Sequence, residues 1–328
     1  MNKPIPTYDN IVSAHKRIVS FVHHTPVLTS SAINSIVHNE LFFKCENLQK
    51  VGAFKFRGAT NAVLSLNSAD LNAGVATHSS GNHSAALALA ARTQGVPAYI
   101  VMPETAPDIK KQAVEGYGAN ITFCKPTLEA RESTIEEIVK HTGATFIHPY
   151  DNFNVVCGQG TAAKELLETE AGLDVLITPV GGGGLLSGSS VTARALNPEI
   201  TIIGAEPENA DDAFRSFRNG TLYPSVSPQT IADGLLTSLS EFTFKIIRQN
   251  VDELITASEE SIALAMRMVW ERMKIIIEPS SALPLAILLQ HGKRFKNKKI
   301  GIILSGGNVD LDNLNYLFSA GKSRDLTG

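Results

Sequence analysis

The chain has 328 residues, of which 43% are hydrophobic and 19% are charged, so it is long enough to form two globular domains. Its 29 Lys and Arg residues nearly balance 32 Asp and Glu residues, and no basic stretch indicates binding to nucleic acid. The N-terminal residues contain no apolar signal region, and no uncharged apolar stretch reaches about 18 residues, so we expect a cytoplasmic protein that has no membrane span.

Short β-branched segments alternate with longer helical patterns from Gly74 onward. The first series reads as strand GVATHSS, helix HSAALALAARTQG, strand VPAYIVMP, helix DIKKQAVEGYG, strand NITFC, helix EARESTIEEIVKHTG and strand TFIHP. The second series follows GQG and reads as helix TAAKELLETEAG, strand DVLITPV, helix LLSGSSVTARALN and strand TIIGAEP. Helices SIALAMRMVWERM and SALPLAILLQHG then precede the buried strand in KKIGIILSGGN. This alternation predicts an α/β fold built on parallel sheets.

The domain organisation follows from where the two series begin and end. We expect a small domain at 74–151, inserted into a large domain formed by 1–73 and 152–328. The sequence contains no internal repeat, low-complexity segment or long linker, which favours two interleaved lobes. Three scattered cysteines, Cys45, Cys124 and Cys157, lack the spacing of metal ligands, so we expect reduced thiols and no zinc site.

Four successive glycines stand in PVGGGGLLSG, at 179–188, between a predicted strand and a predicted helix. Such a backbone turns several N–H groups toward one point at the positive end of a helix, which suits a phosphate. The lysine of a P-loop and the dinucleotide pattern G-x-G-x-x-G are both missing from this segment. The segment therefore predicts a site for a single phosphate monoester, and a plain strand-to-helix turn is the alternative.

Two more polar loops follow predicted strands, HSSGNHS at 78–84 and LSGGN at 304–308. Ligands of open α/β sheets bind beyond the carboxyl ends of the strands, so these loops and the glycine segment are expected to meet at one crevice. Ser, Gly and Asn are also ordinary turn residues, and each loop alone indicates only a turn.

Lys55 lies between Phe54 and Phe56 in AFKFRG, just before a predicted helix. A lysine in such a place is usually a solvated side chain that passes apolar neighbours. Beside a phosphate-bearing cofactor, however, burial would lower the pKa of the amine and make it nucleophilic toward an aldehyde. Pyridoxal phosphate carries both the phosphate and the aldehyde.

A set of segments in the right order resembles the fold-type II pyridoxal-phosphate enzymes, and among them the serine racemase and serine/threonine dehydratase family. They are HTPVLTSS, FFKCENLQKVGAFKFRGA, SSGNHS, GQGT, GGGGLLSG, EPENADD, TIADG, VWERMK and LSGGNVDL. This resemblance covers nearly the whole chain. It implies two interleaved α/β lobes with parallel-rich sheets, and a homodimer that acts on a small amino acid.

The resemblance also implies how the cofactor is bound. Lys55 would form the Schiff base and exchange a proton with the α-carbon of the substrate, in the external adduct of substrate and cofactor. Asn82 would bind the ring hydroxyl and Ser305 the ring nitrogen. The phosphate would be held by Gly181, Gly182, Gly183 and Gly184. A hydroxyl at the ring nitrogen leaves the pyridine neutral, which favours β-elimination and racemisation over transamination.

Substrate contacts are implied for Ser79, Ser80, Asn82, His83 and Arg131. Ser80 is similar to the serine that serves racemases as the acid or base on the opposite face of the α-carbon, where threonine dehydratases usually carry alanine. A turn hydroxyl is the alternative interpretation. Arg131 matches an arginine that closes over the substrate. The family's loop usually reads SSGNHG, and Ser84 replaces its last glycine, which affects the pose of the substrate.

Outside the crevice, residues of this chain match two further ligand sites of the family, one for a divalent cation and one for a nucleotide. Glu206, Asp212 and the carbonyl of Ala210 resemble a divalent-cation site, whose oxygen ligands suit Mg²⁺, with Ca²⁺ or Mn²⁺ as alternatives. Six residues match a nucleotide site at the dimer interface of animal serine racemases: Ser30, Ser31, Lys50, Tyr117, Lys274 and Asn308. Val51 stands where that site has a threonine, and a lost hydrogen bond costs about 0.5–1.5 kcal/mol. We therefore expect ATP to be a modest allosteric activator.

The resemblance thus implies an enzyme that racemises serine and dehydrates L-serine and L-threonine. A dedicated dehydratase of threo-3-hydroxyaspartate, serine or threonine, without significant racemase activity, is the alternative within this family. A module that senses a phosphorylated metabolite would need the glycines but not Lys55. An inactive scaffold would have lost Lys55 or Ser305, and both are present.

Overall fold

Two sheets, both mostly parallel, form the framework of the protein. The computed structural model describes residues 3–106 and 108–319. The strands are β1 (Val27–Leu28), β2 (Glu40–Cys45), β3 (Val75–His78), β4 (Ala98–Pro103), β5 (Asn120–Cys124), β6 (Thr145–Phe146), β7 (Val175–Pro179), β8 (Thr201–Pro207), β9 (Glu253–Ala257) and β10 (Lys299–Leu304). The fold class is α/β, as the sequence predicts.

Helices connect these strands and cover the sheets. They are α1 (Tyr8–Ile18), α2 (Ser31–Val37), α3 (Lys55–Leu64), α4 (Ser68–Ala73), α5 (Asn82–Gln94), α6 (Asp108–Gly116), α7 (Leu128–Thr142), α8 (Phe153–Thr169), α9 (Gly184–Leu196), α10 (Asp212–Asn219), α11 (Glu241–Asn250), α12 (Glu259–Met273), α13 (Pro279–His291) and α14 (Leu314–Ser319). Short 3-10 helices lie at Glu46–Leu48, Lys50–Gly52, Glu208–Ala210, Asp233–Leu235, Gly292–Arg294 and Leu311–Asn313. Within the described ranges, no helix is long and apolar enough to cross a bilayer.

The larger sheet has the strand order β1-β2-β10-β7-β8-β9, and only the β1–β2 pair is antiparallel. Successive residues of its central strands enter different cores, because strand side chains alternate between the two faces. Ile177 of β7 packs with Leu283 of α13, whereas its neighbour Leu176 packs with Leu166 of α8. Helices therefore cover both faces, and the continuous apolar strands are explained by burial on two sides.

The smaller sheet has the order β5-β4-β3-β6 and is entirely parallel. Its strands lie between Val75 and Phe146. This division of strands between the sheets agrees with the expected small domain at 74–151, although the exact boundaries stay a prediction. The residues 1–2, 107 and 320–328 of the predicted domains lie outside the described residues.

Helix α8 begins earlier than the sequence predicts. The expected helix starts after GQG, but the observed one begins at Phe153 and carries Gly158 and Gly160 in its interior. A Cβ on Gly158 would lie 2.6 Å from the carbonyl oxygen of Arg57, and one on Gly160 would lie 2.7 Å from that of Gly188. These glycines are therefore not turn residues, because they let α8 cross α3 and α9 with their backbones in contact.

Arg57, in the first turn of α3, is the centre of a buried network of charged side chains. The Arg57 guanidinium is fully buried and binds Glu46 at 2.7 and 2.8 Å and both oxygens of Glu165 at 2.7 Å. Lys44 adds a 2.6 Å bond to Glu165, and Thr25 adds one to Glu46. Attraction to the two carboxylates outweighs burial and raises the pKa of Arg57. Two cations thus balance two anions inside the protein.

The cysteines agree with the expectation of reduced thiols. Cys45, Cys124 and Cys157 are free and buried. Burial raises the pKa of Cys45 and of Cys157 to about 12. Neither thiol is ionised at neutral pH, which makes both of them unreactive.

Replacing Arg57 by Met should destabilise the protein by about 3–5 kcal/mol, because two buried carboxylates lose their partner. The shift of the urea midpoint, followed by far-UV circular dichroism, measures this loss. Arg267→Met is the matched control, since Arg267 pairs with Glu271 on the surface, where both side chains are about half exposed. Such a pair contributes at most about 1 kcal/mol. Equal midpoints for the two variants would contradict a structural role for the network.

Candidate active site

A short antiparallel contact brings two distant segments of the chain together. The backbone N–H of Phe54 donates to the carbonyl of Ser305 at 2.9 Å, and that of Gly307 donates to the carbonyl of Gly52 at 2.9 Å. Between these two hydrogen bonds, Ala53 forms an antiparallel β-bridge with Gly306. The end of β10 and the start of α3 are thereby fixed side by side.

Lys55 is the first residue of α3 and points toward the small sheet. Its Nζ donates to the carbonyl oxygen of Pro149 at 3.1 Å and lies 5.1 Å from the centre of the Phe54 ring. Burial lowers the pKa of Lys55 to about 8, although attraction to Glu278 acts in the opposite direction. A substantial fraction of this amine is therefore neutral near physiological pH, as a nucleophile toward an aldehyde must be.

Glu278 is a central residue of the site that the sequence analysis misses. It precedes Pro279 at the start of α13, is 3% exposed, and accepts bonds from Asn82 Nδ2 at 2.9 and 3.2 Å. Burial raises the pKa of Glu278 to about 7, and repulsion from Asp233 adds to the effect. The sequence feature that could have identified Glu278 is an acidic residue directly before a proline near the start of a helix.

Asn82 and Asn308 are hydrogen-bonded to each other. Asn308 donates to Asn82 Oδ1 at 2.9 Å and to the carbonyl of Val51 at 2.8 Å. Val51 has a φ of 57°, a left-handed conformation that is unusual for a β-branched residue. The Asn82 amide is oriented by Glu278 on one side and Asn308 on the other, and its bond to the cofactor's ring hydroxyl stays a prediction.

Ser305, predicted to bind the ring nitrogen, lies at the end of β10 and is 3% exposed. Its hydroxyl is 3.1 Å from that of Ser281 in α13. Ser281 also donates to the carbonyl of Gly306 and accepts from its N–H, both at 2.6 Å. The proton of the Ser305 hydroxyl is free to face either Ser281 or a ligand.

The four glycines join β7 to α9, at the positive end of a helix of 13 residues. A Cβ on Gly182 would overlap the ring of Tyr150, and one on Gly181 would lie 3.0 Å from Cα of Leu235. Gly183 has a φ of 84°, which a side chain rarely tolerates. The segment is thus a cradle walled by Tyr150 and Leu235, with N–H groups at a helix start, and it fits a phosphate.

The loop at 79–84 is fixed by its own side chains. Ser84 donates to the carbonyl of Ser79 at 2.6 Å, and Ser79 Oγ accepts from Gly81 N at 3.3 Å. The serine that replaces the family's glycine therefore fastens the loop. Ser80 is partly buried, and no hydrogen bond joins its hydroxyl to any part of the chain that the structure describes.

Three histidines lie around Lys55, and two of them were not predicted. His83 is 2% exposed, its Nε2 is 3.1 Å from the carbonyl of Ile147, and its Nδ1 has no partner among the described residues. Burial lowers the pKa of His83 well below its usual value and lowers the pKa values of His78 and His148 to about 4. All three are neutral hydrogen-bonding groups. The strand ends that carry His78 and His148 were the available signal.

Arg131 lies apart from this group, in the first turns of α7, where its Nε donates to the carbonyl of Thr127 at 3.3 Å. It is close enough to contribute to the lowered pKa of His78. In the described residues it makes no direct contact with Lys55 or the loop at 79–84.

The predicted cation ligands Glu206 and Asp212 lie together, buried, at the end of β8 and the start of α10. Glu206 accepts from the N–H groups of Ala213 at 2.9 Å and Phe214 at 2.7 Å, and both Glu206 and Asp212 are 1% exposed. Burial and the Asp212 charge raise the pKa of Glu206, and burial raises the pKa of Asp212 to about 6. Asp212 Oδ2 has no partner among the described residues. Two neighbouring buried carboxylates with an unused oxygen fit a divalent cation, although no set of three acidic, His or Cys side chains is present in the described chain.

The residues of the predicted nucleotide site are spread over several elements. Ser30 caps α2, accepting from Ile33 N at 3.4 Å, and Ser31 is the first residue of that helix. Lys274 directly follows α12 and has a φ of 60°, and Lys50 Nζ lies 5.7 Å from the centre of the Phe56 ring. Tyr117 packs on the core of the small lobe. Of the six, Asn308 is the one that reaches the crevice of Lys55, through Asn82.

Comparison with known proteins identifies the family. The family described as pyridoxal-phosphate dependent enzymes matches residues 18–306. The chain is 52% identical to a serine racemase of Dictyostelium discoideum, over 95% of this chain and 98% of that protein. It is 48% identical to a β-hydroxyaspartate dehydratase of Paracoccus denitrificans, over 94% and 98%. A solved maize serine racemase superposes with a TM-score of 0.93 at 43% identity, covering 95% of this chain and 97% of that one.

The match includes the start of α3, the glycine cradle and the end of β10, which are the segments that meet around Lys55. The two interleaved α/β lobes and their parallel-rich sheets are likewise those of the fold-type II enzymes. The chain therefore belongs to the family of pyridoxal-phosphate dependent enzymes.

Proposed function

We propose that this enzyme racemises serine and also dehydrates L-serine and L-threonine with release of ammonia. The observation that carries the proposal is the combination of a lysine whose pKa is lowered with a serine hydroxyl, that of Ser80, which has no partner among the described residues. Ser80 stands two residues before Asn82, which is bound to Glu278 near Lys55. Relatives named serine racemase support the same substrate.

The residues present fit pyridoxal phosphate, which supplies an electron sink that acidifies the α-proton of a bound amino acid. The N–H groups of Gly181 to Gly184 would hold its phosphate, and Ser305 Oγ would bond its ring nitrogen. Asn82 Nδ2 would bond its ring oxygen with the N–H that is not given to Glu278. The loop at 79–82 and His83 would hold the carboxylate of the substrate.

Proton transfer is the task of two side chains. Lys55 Nζ, neutral in part at physiological pH, takes the α-proton from one face or returns it there. Ser80 Oγ does the same on the other face. Racemisation needs both groups, whereas loss of the β-hydroxyl after removal of the proton needs one. A single site of this kind therefore supports both reactions.

The alternative is a dehydratase of threo-3-hydroxyaspartate, serine or threonine without significant racemisation. It is favoured by the relative from Paracoccus denitrificans and by a yeast relative named L-threo-3-hydroxyaspartate ammonia-lyase, which is 47% identical. Arg131, with the neutral His78 near it, is proposed to meet a second carboxylate on the substrate when the small lobe closes. Which reaction dominates depends on Ser80.

Divalent cations and a nucleotide are further parts of the proposal. Mg²⁺ is proposed at Glu206, Asp212 and the carbonyl of Ala210, where it would neutralise two buried carboxylates, and Ca²⁺ or Mn²⁺ would fit the same oxygens. ATP is proposed as an allosteric activator and a homodimer as the active form, both supported by resemblance to serine racemases. A cytoplasmic location is proposed from composition alone.

Replacing Ser80 by Ala should lower the rate of serine racemisation about 10²–10⁴-fold, the usual contribution of one acid or base. Dehydration of one serine enantiomer should survive in part, because Lys55 still removes the proton. Chiral chromatography of serine and an assay of pyruvate, run on the same sample, measure the two rates. Equal loss of both activities, or retention of both, would exclude Ser80 as the second acid or base.

The capture of pyridoxal phosphate by cofactor-free protein should become faster as pH rises, with a midpoint near 8. The pKa of Lys55 is lowered to about 8 by burial, and only the neutral amine attacks the aldehyde. The growth of visible absorbance after mixing, recorded across pH, gives the profile, and borohydride treatment followed by peptide mass locates the modified lysine. Lys55→Ala should abolish both signals. A midpoint near the ordinary lysine value of about 10.4 would contradict the burial argument.

Adding Mg²⁺ to chelator-treated protein should raise its melting temperature, since a ligand of the native state stabilises by about 2.7 kcal/mol at a hundred times its Kd. Asp212→Asn should remove this response. Asp211→Asn is the matched control, because Asp211 is 37% exposed and pairs with Arg215 instead. A response that Asp212→Asn preserves would place the cation elsewhere.

A further inference from the structure

One segment of the large lobe, residues 233–240, lies between the glycine cradle and the small lobe. Its apolar side packs on the cradle. Cα of Leu235 lies 3.0 Å from the Cβ position of Gly181, and a methyl of Leu239 lies 2.7 Å from that of Gly183. We call residues 233–240 the docking segment.

The polar side chains of the docking segment face residues that follow or belong to the smaller sheet. Asp233 forms an ion pair with Lys110 of α6. Thr237 is hydrogen-bonded to the hydroxyl of Tyr150, and Ser240 donates to Asp151 at 3.2 Å. One short segment thus contacts the cradle on one side and the small lobe at three points on the other.

Lys110 differs from the other two contacts because its side chain also covers the loop at 79–82. Its Cδ and Nζ lie 3.3 Å from the position that a Cβ on Gly81 would occupy. The Lys110 side chain is 15% exposed, whereas that of Asp233 is 45% exposed. Burial by itself would lower the pKa of Lys110, but attraction to Asp233 raises it above its usual value, so the side chain stays charged.

We propose that Lys110 is a positioning residue whose ion pair with Asp233 holds the loop at 79–82 closed against the docking segment. The loop contains Ser80, so its position sets whether that hydroxyl is next to the substrate. Lys110 itself does not exchange a proton in this arrangement. The effect on turnover rests on the function proposed above, while the effect on loop closure does not.

The pair is also placed to couple the loop to the cofactor site. Asp233 and Gly234 precede Leu235, whose backbone borders Gly181, and Gly234 N donates to Ser280 Oγ at 3.2 Å in α13. Asp233 raises the pKa of Glu278 and Lys110 lowers it, and Glu278 binds Asn82. Loss of the ion pair therefore removes the tie between the docking segment and Lys110, which covers the loop, and also changes the electrostatic environment of Glu278, which binds Asn82.

The test compares hydrogen exchange of the holoenzyme and four variants in the absence of substrate: Lys110→Met, Asp233→Asn, the double variant and Lys110→Arg. In peptides that cover 79–84 and 108–116, Lys110→Met and Asp233→Asn should each exchange about fivefold faster, a typical coupling between two elements. The double variant should be no faster than either single one, since both remove the same contact. Lys110→Arg should restore the rate of the parent protein.

Lys111→Met is the matched control, because the neighbouring Lys111 pairs with Asp108 inside α6 and binds the carbonyl of Glu104. It should leave exchange in the loop unchanged. Unchanged exchange in Lys110→Met, or effects of the single changes that multiply in the double variant, would overturn the proposal. The visible absorbance of bound cofactor, retained in each variant, shows that the fold is intact.

Steady-state kinetics supply a second readout that a merely structural role would not produce. Lys110→Met should raise the KM for serine about fivefold with a smaller change in kcat, because only the fraction of closed protein binds substrate. Lys110→Arg should return KM to its parent value. If the parent protein does not act on serine, the proposed function fails, and the exchange experiment still decides the role of Lys110.

Discussion

The position of Lys55 depends on the Arg57 guanidinium, which lies two residues further along α3. Glu46, in the 3-10 helix that follows β2, and Glu165 of α8 both bind this guanidinium, and Lys44 of β2 completes the charge balance. A buried charge of this kind is tolerated only when all partners are in place, so each member depends on the others. The network joins the end of β2, the start of α3 and the middle of α8. Lys55 is thus placed by charges that lie outside the site.

Most of the framework could be predicted from the sequence, because strand and helix periods alternate clearly between Gly74 and Pro207. The start of α8 could not, since glycines in GQG read locally as a turn. Their real role is set by α3 and α9, which approach so closely that only a hydrogen fits between the backbones. Strand β1, of two residues, is likewise defined by its partner β2 and has no pattern of its own.

The site is predictable where a residue type and its spacing are demanded by chemistry. The glycine cradle and the polar loops at 78–84 and 304–308 fall into this class, whereas the roles of Lys55, Asn82 and Ser305 are implied by resemblance to the family and stay predictions. Glu278 and Tyr150 do not fall into this class, because a single acid or tyrosine has no local signature, and each acquires its role from a segment more than 30 residues away. The lowered pKa of Lys55 also depends on burial by distant residues. A pKa shift caused by burial can be found only once the folded structure is known.

The pairing of residues 52–54 with 305–307 has a consequence for biosynthesis. Lys55 lies about one sixth of the way along the chain, yet the residues just before it, 52–54, are held by the loop that follows β10, the last strand among the described residues. Contacts between such distant segments form late, after the intervening chain has been made and folded. A nascent or truncated chain that ends before β10 therefore contains the Lys55 amine. It lacks residues 305–307, which include Ser305 and pair with residues 52–54 just before Lys55. Capture of the cofactor at Lys55 therefore requires the chain through β10 and the loop that follows it.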